Sequence, residues 1–151
     1  MDQFMQSGSS LLNLQLYRDT KNTFKIILFL LLLNDALGAE THTIKAVSVK
    51  EGNRFALRTG ETEIQREDNI LWMFGDERML LAEVHLKNGI FETYDSDDGR
   101  FKGSLKLDKY TGSLIFHNTK SSHSGVYHMK IIKKTATIYK RFHVDVSGGG
   151  E

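Results

Sequence analysis

The stretch HSGVYHMKI, residues 123–131, decides the expected fold. Tyr127, Met129 and Ile131 alternate with His128 and Lys130, which is the period of a β-strand with one buried face. A small Ser-Gly pair just before the tyrosine indicates a sharp corner where the strand begins. Many secreted β-sandwiches carry a disulfide-bonded cysteine where this strand has its methionine. The chain contains no cysteine at all, which excludes disulfides, thiolate metal sites and cysteine nucleophiles.

Similar short alternating segments occur along the chain from residue 44 onward, including one over residues 101–107. They are separated by turn residues, and Asn88-Gly89 is the strongest hairpin dipeptide among them. The sequence therefore predicts about nine short strands at roughly ten-residue spacing, which is typical of an all-β sandwich or barrel with antiparallel strands.

The composition is that of one globular domain. Of the 151 residues, 40% are hydrophobic and 26% are charged, and the formal net charge is +1. That charge gives no general attraction to nucleic acid or to a membrane surface. Residues 51–98 hold 12 acidic and 5 basic residues, whereas residues 99–144 hold 10 basic and 1 acidic. Because the two segments are expected to lie side by side in a sandwich, we expect these charges to interleave and neutralise one another.

The N-terminal part of the chain is typical of an exported protein. Lys21 and Lys25 precede the apolar run IILFLLLL, residues 26–33, and small residues follow at positions 36, 38 and 39. The run is shorter than the roughly 20 apolar residues that span a bilayer, so no membrane span is predicted in this chain. We predict a polar extension plus signal peptide over residues 1–39, a folded domain over residues 43–147 and a flexible tail over residues 148–151.

Four pieces of the chain, in order, resemble the immunoglobulin variable-type domain over residues 43–147. They are EGNRFALRT (residues 51–59), NILWMFG (69–75), GRFKGSLKLDKYTGSLIFHNT (99–119) and HSGVYHM (123–129). The resemblance implies a two-sheet sandwich with Thr59 and Met129 at the positions of the two bridging cysteines. It also implies that Trp72 packs beside them and that Tyr127 hydrogen-bonds its hydroxyl to nearby backbone. These four residues form the predicted structural core, in which the methionine replaces the bridge by packing against the indole.

One position departs from the family pattern. The family places an aspartate before Ser-Gly. That aspartate pairs with an arginine, whose position in this chain is held by Arg100. Here the position is occupied by His123. A neutral imidazole cannot form that ion pair, so we do not expect the family's clamp between these two residues.

The segment LKLDKYTGSLIFHNTKSSHSGVY, residues 105–127, looks like fish members of the lymphocyte adhesion receptors of the signalling lymphocyte activation molecule group. The membrane-distal domains of these receptors often lack the disulfide. The resemblance implies a non-catalytic extracellular binding module for cell adhesion or immune receptor recognition. Its partner would be another immunoglobulin-like cell-surface protein, in homophilic or heterophilic contact. The chain would be secreted as written, or held at the cell surface if an anchor is missing from it.

The same resemblance implies which face meets the partner, namely the exposed face of the sheet that contains the Trp72 and Tyr127 strands. The alternative is that this face has no partner and is an ordinary solvated surface with scattered exposed apolar atoms. Strand parity and neighbouring turns place these residues on or near the face: Leu71, Met73, Glu83, His128, Lys130, Lys133, Lys134, Arg141 and His143.

No catalytic residue, cofactor or metal site is predicted. The six histidines lack ligand spacing, and the acidic loop at residues 95–98 lacks the bidentate glutamate of a calcium loop. Lys133-Lys134 is too short a basic run for nucleic-acid binding. The alternative hypothesis is a β-barrel carrier of a small apolar ligand, which requires a central cavity where the immunoglobulin domain has a filled core around Trp72.

Overall fold

A computed structural model describes residues 39–148, which form nine β-strands and two short 3-10 helices. The predicted signal peptide with its apolar run 26–33, and tail residues 149–151, lie outside the described residues. The strands are β1 (Ala39–Lys50), β2 (Phe55–Leu57), β3 (Asn69–Phe74), β4 (Met79–His85), β5 (Ile90–Thr93), β6 (Leu105–Leu107), β7 (Leu114–Phe116), β8 (Gly125–Ile132) and β9 (Ala136–Ser147).

The strands build two separate sheets. One sheet has six strands in the order β1-β9-β8-β3-β4-β5, and the other has three in the order β2-β7-β6. Neighbouring strands are antiparallel except for β1 and β9, which pair in parallel along their whole length. A parallel pair needs a long connection between its strands, and here residues 51–135 provide it.

Alternate side chains of the central strands fill the space between the sheets. In β8, Tyr127, Met129 and Ile131 are at most 1% exposed, which confirms the alternation in the HSGVYHMKI stretch. Trp72 in β3 is fully buried, and its ring centroid lies 5.8 Å from that of Phe142 in β9. Burial of each such side chain stabilises the fold by about 1.5–3 kcal/mol.

Two loops differ from the sequence-based expectation. The strand predicted over residues 101–107 is shorter, because residues 101–104 form a turn closed by a hydrogen bond from the Ser104 amide to the Phe101 carbonyl. Asn88-Gly89 does not form a two-residue hairpin turn. It ends a 3-10 helix, Leu86–Asn88, after which Gly89 adopts a left-handed conformation with φ of 71°.

Within residues 39–148, no helix has the length and hydrophobicity that crossing a membrane requires.

Candidate functional site

The two sheets are joined by a hydrogen bond between β3 and the β6–β7 turn. The Nε1–H group of Trp72 donates to the carbonyl oxygen of Gly112 at 2.9 Å, and both residues are buried. Gly112 has φ of 71°, and a Cβ atom there would come within 2.5 Å of Ile70 Cδ1. Only glycine fits this turn, because a side chain would meet both the strained backbone and the core.

Thr59, at the first cysteine position of the resemblance, lies just after β2 and holds the same turn. Its hydroxyl donates to the carbonyl oxygen of Thr111 at 2.7 Å and accepts a hydrogen bond from the Glu61 amide at 3.1 Å. Its own amide donates to Ser113 Oγ at 3.1 Å. Thr59 is therefore a buried polar residue whose amide and hydroxyl are both hydrogen-bonded.

Met129, at the second cysteine position, lies directly opposite Trp72 in the β3–β8 register and is 1% exposed. Its approach to Thr59 across the two sheets stays a prediction.

The start of β8 is fixed by the tyrosine. Tyr127 donates its hydroxyl hydrogen to the carbonyl oxygen of His123, which confirms the hydrogen bond that the resemblance implies. Burial raises the pKa of Tyr127 strongly, so its hydroxyl stays protonated and remains a donor.

His123 itself is fully buried and has a role that the sequence did not indicate. Its Nδ1 accepts a hydrogen bond from the Lys120 amide at 3.1 Å, so Nε2 carries the proton and donates to the Arg100 carbonyl at 2.7 Å. The ring stacks on Phe101 with centroids 5.3 Å apart. A neutral imidazole thus joins the corner to the Arg100 backbone, at the position where the resemblance implies an aspartate.

The guanidinium of Arg100 pairs with Asp98, a neighbour in its own loop. Arg100 Nη2 lies 2.8 Å from Asp98 Oδ2, and its Nε donates to the same oxygen at 2.9 Å. The hydrogen bond from Arg100, together with one from Ser96, holds the pKa of the Asp98 carboxyl well below its usual range. The guanidinium therefore forms its ion pair with Asp98, while residue 123 contacts only the backbone of Arg100.

The outer face of the six-stranded sheet is built from cross-strand rows. The first row runs Tyr139–Lys130–Leu71–Glu83–Glu92 across β9, β8, β3, β4 and β5. The second row runs Arg141–His128–Met73 across β9, β8 and β3, and a third pairs His143 with Val126. We call these three rows the outer face. The register therefore brings together all the residues that strand parity placed outward, with Leu71 and Met73 half-buried at the centre.

Charges on the outer face do not interleave as expected from the sequence. Basic residues lie on the β8–β9 side, where Lys130 Nζ sits 5.1 Å from the ring centroid of Tyr139. Acidic residues lie on the β4–β5 side, where Glu83 and Glu92 are directly opposite each other. Along this row the expected neutralisation is incomplete, because Leu71 of β3 separates Lys130 from Glu83.

Lys133 and Lys134, in the β8–β9 turn, have different surroundings. Lys133 Nζ lies 3.0 Å from Glu61 Oε1 and 3.4 Å from Asp68 Oδ2. Burial lowers the pKa of Lys133, but hydrogen bonds and charges from the two carboxylates outweigh it and raise the pKa above its usual value. Lys134 is exposed. Lys133 therefore ties this turn to the β2–β3 loop.

Side chains in the described part of the chain do not form a metal centre. No group of three histidine, aspartate or glutamate residues within residues 39–148 is arranged to hold an ion.

Comparisons with known proteins identify the fold. No protein-family model matches the chain, and no curated protein matches its sequence. Solved structures do match. The human B7-H4 IgV-like domain superposes with a TM-score of 0.54 at 21% identity, covering 68% of this chain and 92% of that one. The CD2-binding domain of CD58 gives 0.52 at 23% identity, covering 68% and 53%. CD84 gives 0.51 at 14% identity, covering 69% and 97%.

The fold is that of a variable-type immunoglobulin-like domain. The chain spans about half the length of the CD58 chain that it matches. The barrel alternative fails because the six-stranded and three-stranded sheets stay separate, and Trp72 and Phe142 pack in the space between them.

Sequence reasoning missed several residues of the outer face. Tyr139 completes the first row, and His42 of β1 stacks on it with centroids 4.7 Å apart. The parallel pairing of β1 with β9 creates this contact, and nothing in the local sequence pattern indicates it. The Tyr139 position was available from the alternation of β9, because it has the same parity as Arg141 and His143.

Proposed function

We propose that this chain is a non-catalytic extracellular binding module for cell adhesion or immune receptor recognition. Its partner is another immunoglobulin-like cell-surface protein, and the outer face is the surface that meets it. The sequence resemblance to the signalling lymphocyte activation molecule group supports this kind of partner. The fold shared with the CD2-binding domain of CD58 is compatible with it.

The observation that carries the proposal is the composition of the outer face. Leu71 and Met73 are half-buried at its centre, with basic side chains on one side and acidic side chains on the other. Protein interfaces combine an apolar centre with a polar rim in this manner. Separated charges steer a partner of complementary pattern and mainly raise the association rate.

The opposite sheet offers a weaker candidate surface. Each of its three strands has three residues, so it presents a much smaller area than the six-stranded sheet. Stable interfaces bury about 800 Å² on each partner, which favours the wider outer face.

Cell binding by the full chain tests the proposal. Fluorescently labelled, multimerised chain is applied to a panel of lymphocytes and other immune cells, and Arg141→Glu and Glu92→Lys reverse one charge on each side of the outer face. Each variant is expected to reduce staining, because each removes complementary charge and introduces repulsion. Lys106→Glu, which reverses an exposed charge on β6, is the matched control and is expected to bind normally.

Loss of staining with the control as well as with the two variants would contradict the choice of face. Sedimentation of the purified chain separates the two modes of contact: self-association that Arg141→Glu weakens indicates homophilic binding, and a monomer that stains cells indicates heterophilic binding.

A further inference from the structure

Tyr94 differs from the other tyrosines of the described chain in its surroundings. It is the first residue after β5 and is 40% exposed. Residues 89–99 around it hold four acidic side chains and no basic one. Tyr110 is more exposed but directly follows a lysine, Tyr139 is half-buried and directly precedes one, and Tyr127 is fully buried. Among the described tyrosines, Tyr94 therefore alone combines an exposed phenol with an acidic segment on both sides.

The hydroxyl of Tyr94 lies on the acidic side of the outer face. It donates to Glu83 Oε1 at 3.3 Å, and Glu83 is directly opposite Glu92 in the β4–β5 register. The Tyr94 amide donates to the Leu81 carbonyl at 2.7 Å, which holds the backbone while the ring stays exposed. β5 is the last strand of its sheet, so no strand within residues 39–148 covers this edge. An enzyme can therefore approach the phenol from the open edge.

The loop after Tyr94 is acidic and ordered. Its three aspartates are exposed, and Oδ1 of the first, Asp95, accepts a hydrogen bond from the Phe101 amide at 3.0 Å. Arg100, the nearest basic residue along the chain, is ion-paired with Asp98 at 2.8 Å. The segment thus presents a tyrosine among carboxylates, which complements a basic binding cleft through charge.

We propose that Tyr94 is a site of tyrosine O-sulfation by a sulfotransferase of the export pathway, and that the sulfate ester strengthens the acidic side of the outer face toward a basic partner. This inference rests on the proposed function, because it requires an exported chain. A sulfotransferase binds an anionic donor in a basic cleft, and an acidic acceptor segment complements that cleft. The lysine beside Tyr110 would instead be repelled.

The transfer step uses a nucleotide phosphosulfate as the activated sulfate donor. The phenolic oxygen of Tyr94 attacks the sulfur atom and forms the new oxygen–sulfur bond, while the bond from sulfur to the bridging phosphate oxygen breaks. The nucleotide leaves with that oxygen on its phosphate, and the phenolic proton passes to a base of the transferase. Sulfur keeps its oxidation state, so the step needs neither an oxidant nor a reductant.

The sulfate ester converts a neutral side chain into a permanent anion. Three negative groups then lie together, namely the ester, Glu83 and Glu92. The modified Tyr94 no longer donates to Glu83 and is repelled by it, so we expect the ring to turn toward solvent. The exposed position keeps the cost in stability small. The added charge raises the association rate with a basic surface.

Labelling of the folded, full-length chain tests the acceptor site directly. The purified chain is incubated with a recombinant tyrosylprotein sulfotransferase and a radiolabelled nucleotide phosphosulfate, and its peptides are mapped by mass spectrometry under conditions that retain the ester. We expect the sulfate on Tyr94. Tyr94→Phe should abolish the label, whereas Tyr110→Phe, at the more exposed tyrosine, should keep all of it.

Charge-neutralising variants test the acidic segment. Glu92→Gln together with Asp97→Asn should lower the labelling rate about threefold, which is a usual combined effect of two exposed charge contacts. The matched control is Glu63→Gln with Glu67→Gln, which removes the same charge from exposed positions of the β2–β3 loop. This control should be labelled at the rate of the parent.

A basic probe tests the effect of the sulfate without any partner protein. Tetralysine amide is titrated into the sulfated and the unmodified isotope-labelled chain, and the amide signals of Glu83 and Glu92 are followed by NMR. We expect the sulfated chain to bind the probe about threefold more tightly at low salt, with a difference that shrinks as the salt concentration rises.

Absence of label from Tyr94, equal labelling of Tyr110, or labelling of Tyr94 only after urea unfolding would overturn the acceptor site. A phosphate in place of the sulfate on Tyr94 of chain recovered from the medium of expressing cells would overturn it as well. Equal binding of tetralysine by the sulfated and the unmodified chain would overturn the effect on the outer face. The proposed function is judged separately by cell staining, because none of these measurements uses partner cells.

Discussion

The indole of Trp72 donates a 2.9 Å hydrogen bond to the carbonyl oxygen of Gly112 and so links the six-stranded sheet to a turn of the three-stranded sheet. Thr59 holds the same turn through the carbonyl of Thr111 and the hydroxyl of Ser113. In a chain without cysteine, the Trp72 hydrogen bond joins the two sheets, and the Thr59 contacts hold its acceptor turn within the three-stranded sheet. The Trp72 bond is directional, so it fixes how the sheets register as well as how tightly they pack.

Trp72→Phe removes the indole N–H and leaves the Gly112 carbonyl buried without a partner. We expect the free energy of unfolding to fall by about 2–4 kcal/mol, from the unpaired carbonyl together with the smaller ring. Urea unfolding followed by circular dichroism measures this as a lower midpoint at an unchanged slope. Tyr110→Phe, at a residue that is 61% exposed, is the control and should stay within about 0.5 kcal/mol of the parent. A Trp72→Phe midpoint equal to that of the control would contradict the role of this hydrogen bond.

The double variant Thr59→Cys, Met129→Cys tests whether these positions face each other across the sheets. A disulfide needs Cα atoms about 4.4–6.8 Å apart, so we expect the two cysteines to oxidise and to raise the free energy of unfolding by about 2–4 kcal/mol. Thiol labelling under denaturing conditions, with mass spectrometry, counts the free cysteines. The matched control is Thr62→Cys with Met129→Cys, because Thr62 is exposed. Two labelled thiols in both double variants would show that Thr59 and Met129 lie apart.

Lys133→Met and Lys134→Met compare the lysine that forms ion pairs with its exposed neighbour in the sequence. Lys133→Met removes the contacts to Glu61 and Asp68, and we expect a loss of about 1 kcal/mol, typical of a partly buried ion pair. Lys134→Met, at the exposed lysine, should change stability by less than about 0.5 kcal/mol.

The Lys133 contacts also predict a dependence on alkaline pH. Because the pKa of Lys133 is raised in the folded chain, its contribution is fully present below the usual lysine pKa of about 10.4 and is lost as the pH rises through the folded pKa. Urea unfolding of the parent and of Lys133→Met near pH 9 and near pH 11 measures the difference between the two proteins. A difference that is larger at the higher pH would refute this assignment.

His123→Ala tests the neutral imidazole at the corner. It leaves the Lys120 amide and the Arg100 carbonyl without partners and empties the space beside Phe101, so we expect a loss of about 2–4 kcal/mol. Ser122→Ala, one residue earlier and exposed, should have little effect. A small loss in both variants would mean that water replaces the imidazole at no cost.

Much of the fold was predictable because it depends on local alternation. The inward positions of β8 and the buried Trp72 follow directly from period-2 patterning, and the tyrosine hydrogen bond follows from the resemblance. The short length of β6 was not predictable, because the turn at Phe101 is set by a hydrogen bond from its amide to Asp95. That contact depends on a loop six residues earlier, and alternation carries no information about it.

The residues of the outer face were predictable in part, because they too depend on the alternation within each strand. Strand parity gives which residues of one strand share a face, but only the strand order shows that Lys130, Leu71 and Glu83 form one row. The stacking of His42 on Tyr139 depends on the parallel pairing of β1 with β9, which leaves no local signal in the sequence. The ion pairs of Lys133 join parts of the chain more than 60 residues apart and were likewise missed.

The footprint of a bound partner on the chain tests most directly whether the outer face is the binding surface. Amide hydrogen exchange is measured on the full chain alone and on the chain bound to a cell-surface protein recovered through the staining experiment. We predict slower exchange on binding in β3, β8 and β9, with β2, β6 and β7 unchanged. Protection confined to the three-stranded sheet, with the Leu71 and Arg141 amides unaffected, would contradict the assignment of the outer face as the binding surface.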